Sequence, residues 1–439
     1  MRRPCSKTCP RRNASGDNVK EQTKILAALW LFQAVNNMDR VALSFAGPSI
    51  MKSLSMDTKT FGVVLSSFTM GYFVAQIPGG LLADRVGSKI LLVISPIFWA
   101  FFTGATGLVS GLAGFVLVRV SLGLAEGLSN TSGYKVFGAH FNSQERTRAI
   151  AIWCTAMALG PACTGPLIGV LLTHFTWQTI FQMLAIPSLI VAVTMYCFIP
   201  NDRARTESRT ITGIGAEPAH VERGALRRVL RDRNLWLITG AYFLYNIAFG
   251  GYLGWMPTYL ASAHGVDMKS LGTLGAVAYA LAFLGLLVHG WLGGRVLYRY
   301  RPQLLASSYI LTAAGLIGAC RATSVWGALC GLSVTAFFLY GGLSCFGAIL
   351  IELSPPQSRA TYSGFCSTLG QIGGVIAPFA IGWMVSETGH FDNGFTLMAL
   401  SLCLAACCVL ALIPAMLAKA RAASGLVDLD VGAIHRGHV

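Results

Sequence analysis

Asp39, Arg40, Arg119 and Glu126 are charged residues inside runs that are otherwise apolar. A charge at the centre of a membrane helix costs at least ~2.5–3.5 kcal/mol on insertion scales, so such residues normally face a cavity and mark a substrate or ion path. Two acids and two bases, summing to zero charge, suit a site that handles an anion and a proton together. Arg119 and Glu126 are seven positions apart, on one helix face and ~10 Å apart along the axis. Asp39 and Arg40 are adjacent and point ~100° apart, so the acid is not simply neutralised by its neighbour. A guanidinium grips a carboxylate bidentately, which suits Arg40 or Arg119 as an anion clamp. Burial disfavours the charged form of an acid while a nearby arginine favours it. An anion arriving at the arginine withdraws that support and favours protonation of Asp39 or Glu126. The bland alternative is a pair of buried salt bridges joining spans 1 and 4, an expensive way to pack helices.

The elements that must hold these residues are membrane helices. The chain has 439 residues, 54% hydrophobic and only 12% charged, about half the charge of a soluble domain. Apolar stretches long enough to span a bilayer recur along its length. The predicted spans are 25–49, 60–82, 90–110, 112–136, 149–173, 179–199, 235–260, 270–293, 303–320, 325–351, 361–385 and 395–417. The expected fold is all-α, with twelve transmembrane helices in two six-helix bundles. An arm (1–24), a bundle (25–200), a central loop (201–234), a second bundle (235–419) and a tail (420–439) divide the chain. The first apolar run continues through a full span without a small-residue cleavage site, so no cleavable signal peptide is expected.

The net charge of +15 reflects topology rather than a nucleic-acid partner. Of the 33 Lys and Arg residues, 27 lie on the side of the termini and the central loop, and four (Lys52, Lys59, Lys269, Arg321) on the other. The positive-inside rule then puts both termini in the cytoplasm. Ten of the twelve cysteines lie within or at the ends of spans, and none forms a CxxC pair. They read as small packing residues, with no metal or cofactor implied.

The halves echo each other. Asp84-Arg85 closes span 2 and Arg148-Ala149 opens span 5; Gly294-Arg295 closes span 8 and Arg359-Ala360 opens span 11. Similar offsets between these landmarks point to a duplicated six-helix unit around a midplane site, the construction of alternating-access carriers.

Between spans 2 and 3 the run Gly79-Gly80-Leu81-Leu82-Ala83-Asp84-Arg85-Val86-Gly87-Ser88-Lys89 resembles the loop signature of the major facilitator superfamily. Its glycines allow close helix approach. Asp84 is placed to meet the positive N-terminal end of span 11 as a cytoplasmic latch, so Gly80, Asp84, Arg85, Gly87 and Lys89 are the expected gating motif. The second-half counterpart, Gly290 to Arg295, lacks the acid. Three further stretches resemble the anion:cation symporter family, which includes carriers of sugar acids, aromatic acids and sialic acid. They are Asn36-Asn37-Met38-Asp39-Arg40-Val41-Ala42-Leu43-Ser44, Gly71-Tyr72-Phe73-Val74-Ala75-Gln76-Ile77-Pro78-Gly79-Gly80, and Arg119-Val120-Ser121-Leu122-Gly123-Leu124-Ala125-Glu126-Gly127. Span 7 adds a looser match at Trp255-Met256-Pro257-Thr258-Tyr259-Leu260. The resemblance covers essentially the whole chain, more strongly in the first half. It implies that Asp39 and Glu126 carry the coupling proton and that Arg40 and Arg119 line the substrate site.

Tyr72, Asn37, Tyr245 and Gln371 are the further candidates for substrate contact. Gln371 stands where the family often has Asn, Asn37 where an aromatic is common, and Cys366 near where span 11 often supplies Asn. These departures widen the expected substrate from a sugar acid to a small organic carboxylate. Beside Tyr245 in span 7, Asn246 and Trp255 also offer polar and aromatic contacts, with interfacial anchoring explaining Trp255 nearly as well, and His289 reads as an interface histidine. With no phosphate-binding loop in view, the expected function is proton-coupled uptake of an organic anion by a monomer in a bacterial inner membrane. The alternative is an exchanger or efflux carrier of the same fold. No catalytic constellation argues for an enzyme.

Overall fold

The computed structural model describes residues 14–141, 143–200, 230–355 and 359–417. Twelve α-helices of 19 residues or more run through them. The first half contains α1 (Ala14–Leu54), α2 (Thr58–Val86), α3 (Ser88–Thr106), α4 (Leu112–His140), α5 (Ser143–His174) and α6 (Trp177–Phe198). The second contains α7 (Arg233–His264), α8 (Met268–Trp291), α9 (Arg301–Cys320), α10 (Val325–Leu353), α11 (Arg359–Thr388) and α12 (Asp392–Leu410). No strand occurs among the described residues. Asp57, Thr176, Asp232, Asp267 and Ser324 cap helix starts by accepting a backbone N–H, which satisfies donors that a helix leaves open. The first helix begins at Ala14, well ahead of the span predicted from residue 25.

Nine of these helices are long and apolar enough to cross a membrane by length and composition. The three that miss that measure are α1, α2 and α7, and all three line the central cavity. Polar residues within them lower their mean hydropathy, among them Asn36, Asn37, Asp39 and Arg40 of α1.

Packing repeats between the halves. In the first, α2 packs on α4, α3 on α4 and α6, and α1 on α5; in the second, α8 packs on α10, α9 on α10 and α12, and α7 on α11. Shifting each number by six converts one set into the other, as a duplicated unit requires. The halves meet through α2 on α11 and α5 on α8. Three hydrogen bonds join them among the described residues. Thr58 Oγ1 donates to the Gly382 carbonyl (3.0 Å), the Phe379 N–H to Ser66 Oγ (3.1 Å), and Ser386 Oγ to Asp57 Oδ2 (3.2 Å). All three sit where α2 begins and α11 ends. At that same end Gly165 and Gly272 pack backbone to backbone, so a Cβ on Gly272 would lie 2.2 Å from the Gly165 carbonyl oxygen. The cavity therefore has a closed end.

Candidate functional site

Close approach of α2 to α4 builds the first-half wall. A Cβ on Gly123 would lie 2.1 Å from the Phe68 carbonyl oxygen, and one on Gly127 2.5 Å from that of Tyr72. Only glycine permits this contact, which seats Phe68 and Tyr72 directly beside the charges of α4. Ser95 of α3 reinforces α4 from behind by donating to the Ala125 carbonyl.

The central cavity measures about 120 Å³. Its first-half wall comprises Arg40, Ser44, Leu65, Phe68, Thr69, Tyr72 and Arg119; the second half contributes Asn246, Phe249, Leu253, Gln371 and Pro378, with three glycines. Charge lies on one side. The facing wall is apolar apart from two amides.

Arg40 and Arg119 play different structural parts. Arg40 Nε donates to Glu126 Oε2 at 3.0 Å, and its guanidinium carbon lies 4.2 Å from the Tyr72 ring centroid and 5.0 Å from that of Phe68. Arg119 is 2% exposed, with its guanidinium carbon 4.9 Å from the Phe68 centroid. Its Nε and Nη1 have no hydrogen-bond partner. Phe68 thus supports both cations through its ring quadrupole, while neither the ring nor any acid satisfies the N–H groups of Arg119.

The acids stand behind the cavity. Glu126 is 1% exposed, and its Oε1 lacks a partner. Asp39 is 1% exposed; its Oδ2 accepts from Ser188 Oγ of α6 (3.2 Å) and Thr103 Oγ1 of α3 (3.3 Å), and its Oδ1 lacks a partner. Two complete salt bridges are therefore not what joins α1 to α4. One pair forms, Arg40 to Glu126, and leaves an unpaired base and an unpaired acid.

Of the other residues singled out by sequence, Tyr72 and Gln371 line the cavity and two do not. Asn37 turns back on its own helix, its Nδ2 donating to the Gln33 carbonyl at 2.7 Å. Tyr245 is buried in the second half, donating to the Leu339 carbonyl (3.1 Å) and stacked between Tyr242 and Tyr309. Its neighbour Asn246 takes the cavity place instead; Asn246 Nδ2 donates to the Tyr242 carbonyl (2.8 Å), leaving the amide oxygen as an acceptor. Adjacent helix positions point ~100° apart, so periodicity without an inter-helix partner cannot choose between them. Trp255 is no interfacial anchor: it is 1% exposed and donates to the Pro378 carbonyl at 3.0 Å. His289 is likewise buried, with Nδ1 against the Gly285 carbonyl (2.9 Å) and its ring edge-on to Phe337 and Phe338.

The loop signature forms a hairpin in which Gly87 alone separates α2 from α3. Its φ of 94° lies in the region that favours glycine, and its N–H closes onto the Ala83 carbonyl. Gly80 lies in the last turns of α2, Arg85 is exposed, and Lys89 Nζ sits 5.2 Å from the Tyr196 ring centroid. The latch expected of Asp84 with the start of α11 falls on side chains outside those described.

Sequence reasoning missed Phe68, Thr69 and Phe249 in the wall and Thr103 and Ser188 behind it. The two hydroxyls gave no signal, because Ser and Thr in apolar helices usually bond their own backbone. No group of three or more His, Cys, Asp or Glu residues is placed to hold a metal ion among the described residues.

Comparison with known proteins adds context to this geometry. The family model of the Major Facilitator Superfamily matches residues 29–378 and 260–435. The hexuronate transporter of Bacillus subtilis (strain 168) is 27% identical over 386 residues, covering 86% of this chain and 91% of the relative. The probable L-galactonate transporter of Escherichia coli (strain K12) is 27% identical, covering 84% of each. The probable sulfoacetate transporter of Cupriavidus necator is 27% identical, covering 86% and 90%. Among solved structures, a bacterial homolog of the human lysosomal transporter Spinster, inward-facing and unoccupied, superposes with a TM-score of 0.71 at 17% identity, covering 91% of this chain and 97% of that one.

Proposed function

The chain belongs to the Major Facilitator Superfamily, and from that premise we propose that it takes up a small organic anion together with a proton by alternating access. It is a multi-pass membrane carrier rather than an enzyme. One observation carries the anion reading: Arg119 is buried in the cavity wall with two N–H groups unused. A desolvated guanidinium without partners is costly, and a bound carboxylate supplies the missing acceptors bidentately. Relatives named for hexuronate, galactonate and sulfoacetate all have anionic cargo, which supports the same class here.

The pairing of Arg40 with Glu126 supports a proton-coupled reading. An anion that draws Arg40 towards itself weakens the hold on Glu126 and favours its protonation, and Asp39 is the second carrier. With the positive-inside orientation, the closed end faces away from the cytoplasm, an inward-facing arrangement like that named for the Spinster homolog. The carrier then works as a monomer in an inner membrane, with both termini cytoplasmic.

The anion reading is tested by thermal shift of the purified protein with D-glucuronate, L-galactonate and sulfoacetate, against neutral and cationic solutes of similar size. Stabilisation by an acid, lost in Arg119→Ala, is expected; stabilisation by neutral or cationic solutes alone refutes it. Coupling is tested in proteoliposomes with whichever acid binds. Glu126→Gln should retain exchange and lose proton-driven accumulation, and unimpaired accumulation would remove Glu126 from the mechanism.

A further inference from the structure

Asp39 lies beyond the cavity, so whatever lets it change protonation must lie among its own contacts. Both hydroxyl contacts fall on the same oxygen, Oδ2, while Oδ1 is bare. Ser188 Oγ is also 3.3 Å from the Leu184 carbonyl of its own helix. It therefore has one hydrogen and two acceptors, and can serve only one of them fully. Fixed side chains would satisfy one charge state of the acid. This hydroxyl has a geometry for each.

We infer that Ser188 is a positioning residue for the proton site on Asp39, an O–H that reverses its role when the acid changes charge. With Asp39 ionised, Ser188 and Thr103 both donate to Oδ2. With Asp39 protonated on Oδ2, the acid donates to Ser188 Oγ, whose own hydrogen turns wholly to the Leu184 carbonyl. One proton is gained or lost by Asp39, and Ser188 stays neutral throughout. Thr103 remains a donor to the same oxygen in the ionised state. Glu126 and Arg119 of α4 act electrostatically on Asp39, and Arg40 follows it on α1 but bonds Glu126 instead. From α3 and α6 the facing groups are the two hydroxyls. Buried polar groups that lose their partner are costly, so a residue serving both states lowers the barrier to cycling between them. The inference rests on Asp39 carrying a proton, as proposed above.

Infrared pH-difference spectra of the full chain in lipid vesicles test it without any transported solute. The carboxylic C=O stretch lost in Asp39→Asn belongs to protonated Asp39. In Ser188→Ala that band should move to higher wavenumber, because the acid has lost its hydrogen-bond acceptor, and in Ser188→Thr it should stay in place. Ser188→Cys, with a poorly accepting thiol, should move the band in the same direction as Ser188→Ala and stands in if the alanine variant does not fold. A band that vanishes in Asp39→Asn but is unmoved in both Ser188→Ala and Ser188→Cys overturns the role of Ser188 alone. If Asp39→Asn removes no band at any pH, the proton site and its positioning residue fall together.

Discussion

At the scale of single residues, the two arginines divide along what each already touches. Arg40 is committed to Glu126, so Arg40→Ala should leave a buried carboxylate unpaired and destabilise the protein by about 3–5 kcal/mol. Thermal melting in detergent would show it, and much of the loss should return when Glu126→Gln is added. Arg119 is committed to nothing that accepts its Nε and Nη1. Arg119→Ala should therefore melt close to wild type while binding a stabilising carboxylate on the order of 10–100-fold more weakly, the loss of charge-assisted hydrogen bonds of about 1.5–3 kcal/mol. Equal destabilisation by both substitutions would mean that Arg119 is structural. The identity and mid-span position of all four charges were legible in the sequence. Which acid meets which base was not. Arg119 and Glu126 share a helix face, yet the bond goes from Arg40 of α1 to Glu126 of α4, 86 positions apart.

At the scale of elements, the contact of α2 with α4 decides whether the charged wall exists. Gly123 is its narrowest point. Gly123→Ala places a methyl against the Phe68 carbonyl and the Tyr72 nitrogen (2.1 and 2.7 Å), which should cost about 1–3 kcal/mol as the helices separate. It should also lower carboxylate binding, since Phe68 and Tyr72 back the guanidiniums. Gly347→Ala on α10 has open space and should be neutral or stabilising by up to roughly 1 kcal/mol. Comparing the two melting temperatures separates crowding from a general effect of adding a methyl. The sequence revealed the glycines as a stripe but not their depth of approach. Hydropathy under-rates α1, α2 and α7, three of the helices that line the cavity.

For the whole molecule, closure at one end is a property of the two halves together. Wedging them there, with Gly272→Phe against the Gly165 backbone, should lengthen the distance between spin labels at the exposed positions Lys59 and Glu387 and stop transport while the protein stays folded. An unchanged distance with normal transport would mean that the contact is not part of the gate. The same labels test pH dependence. The Asp57 carboxyl, which takes Ser386 across the interface, is held below its ordinary range chiefly by hydrogen bonds from Thr60. A depressed acid contributes above its unfolded value, ~3.9, and loses that contribution only as pH falls through the lower folded value. Titration of Asp57 should therefore contribute no change in label distance from about pH 5 to 8. A change of distance within that window, absent in Asp57→Asn, would place a sensor at the gate.

By itself the sequence determined the helical membrane class, the repeat, the superfamily and the four charges, because hydropathy, basic-residue asymmetry and a dense glycine motif are local patterns readable without contacts. Tertiary structure alone decided the pairing of the charges, the removal of Asn37 and Tyr245 from the cavity, the arrival of Phe68, and the two hydroxyls behind Asp39. Those depend on which faces of helices distant in sequence meet. A helix constrains where its side chains point relative to one another; what they point at is set by its neighbours.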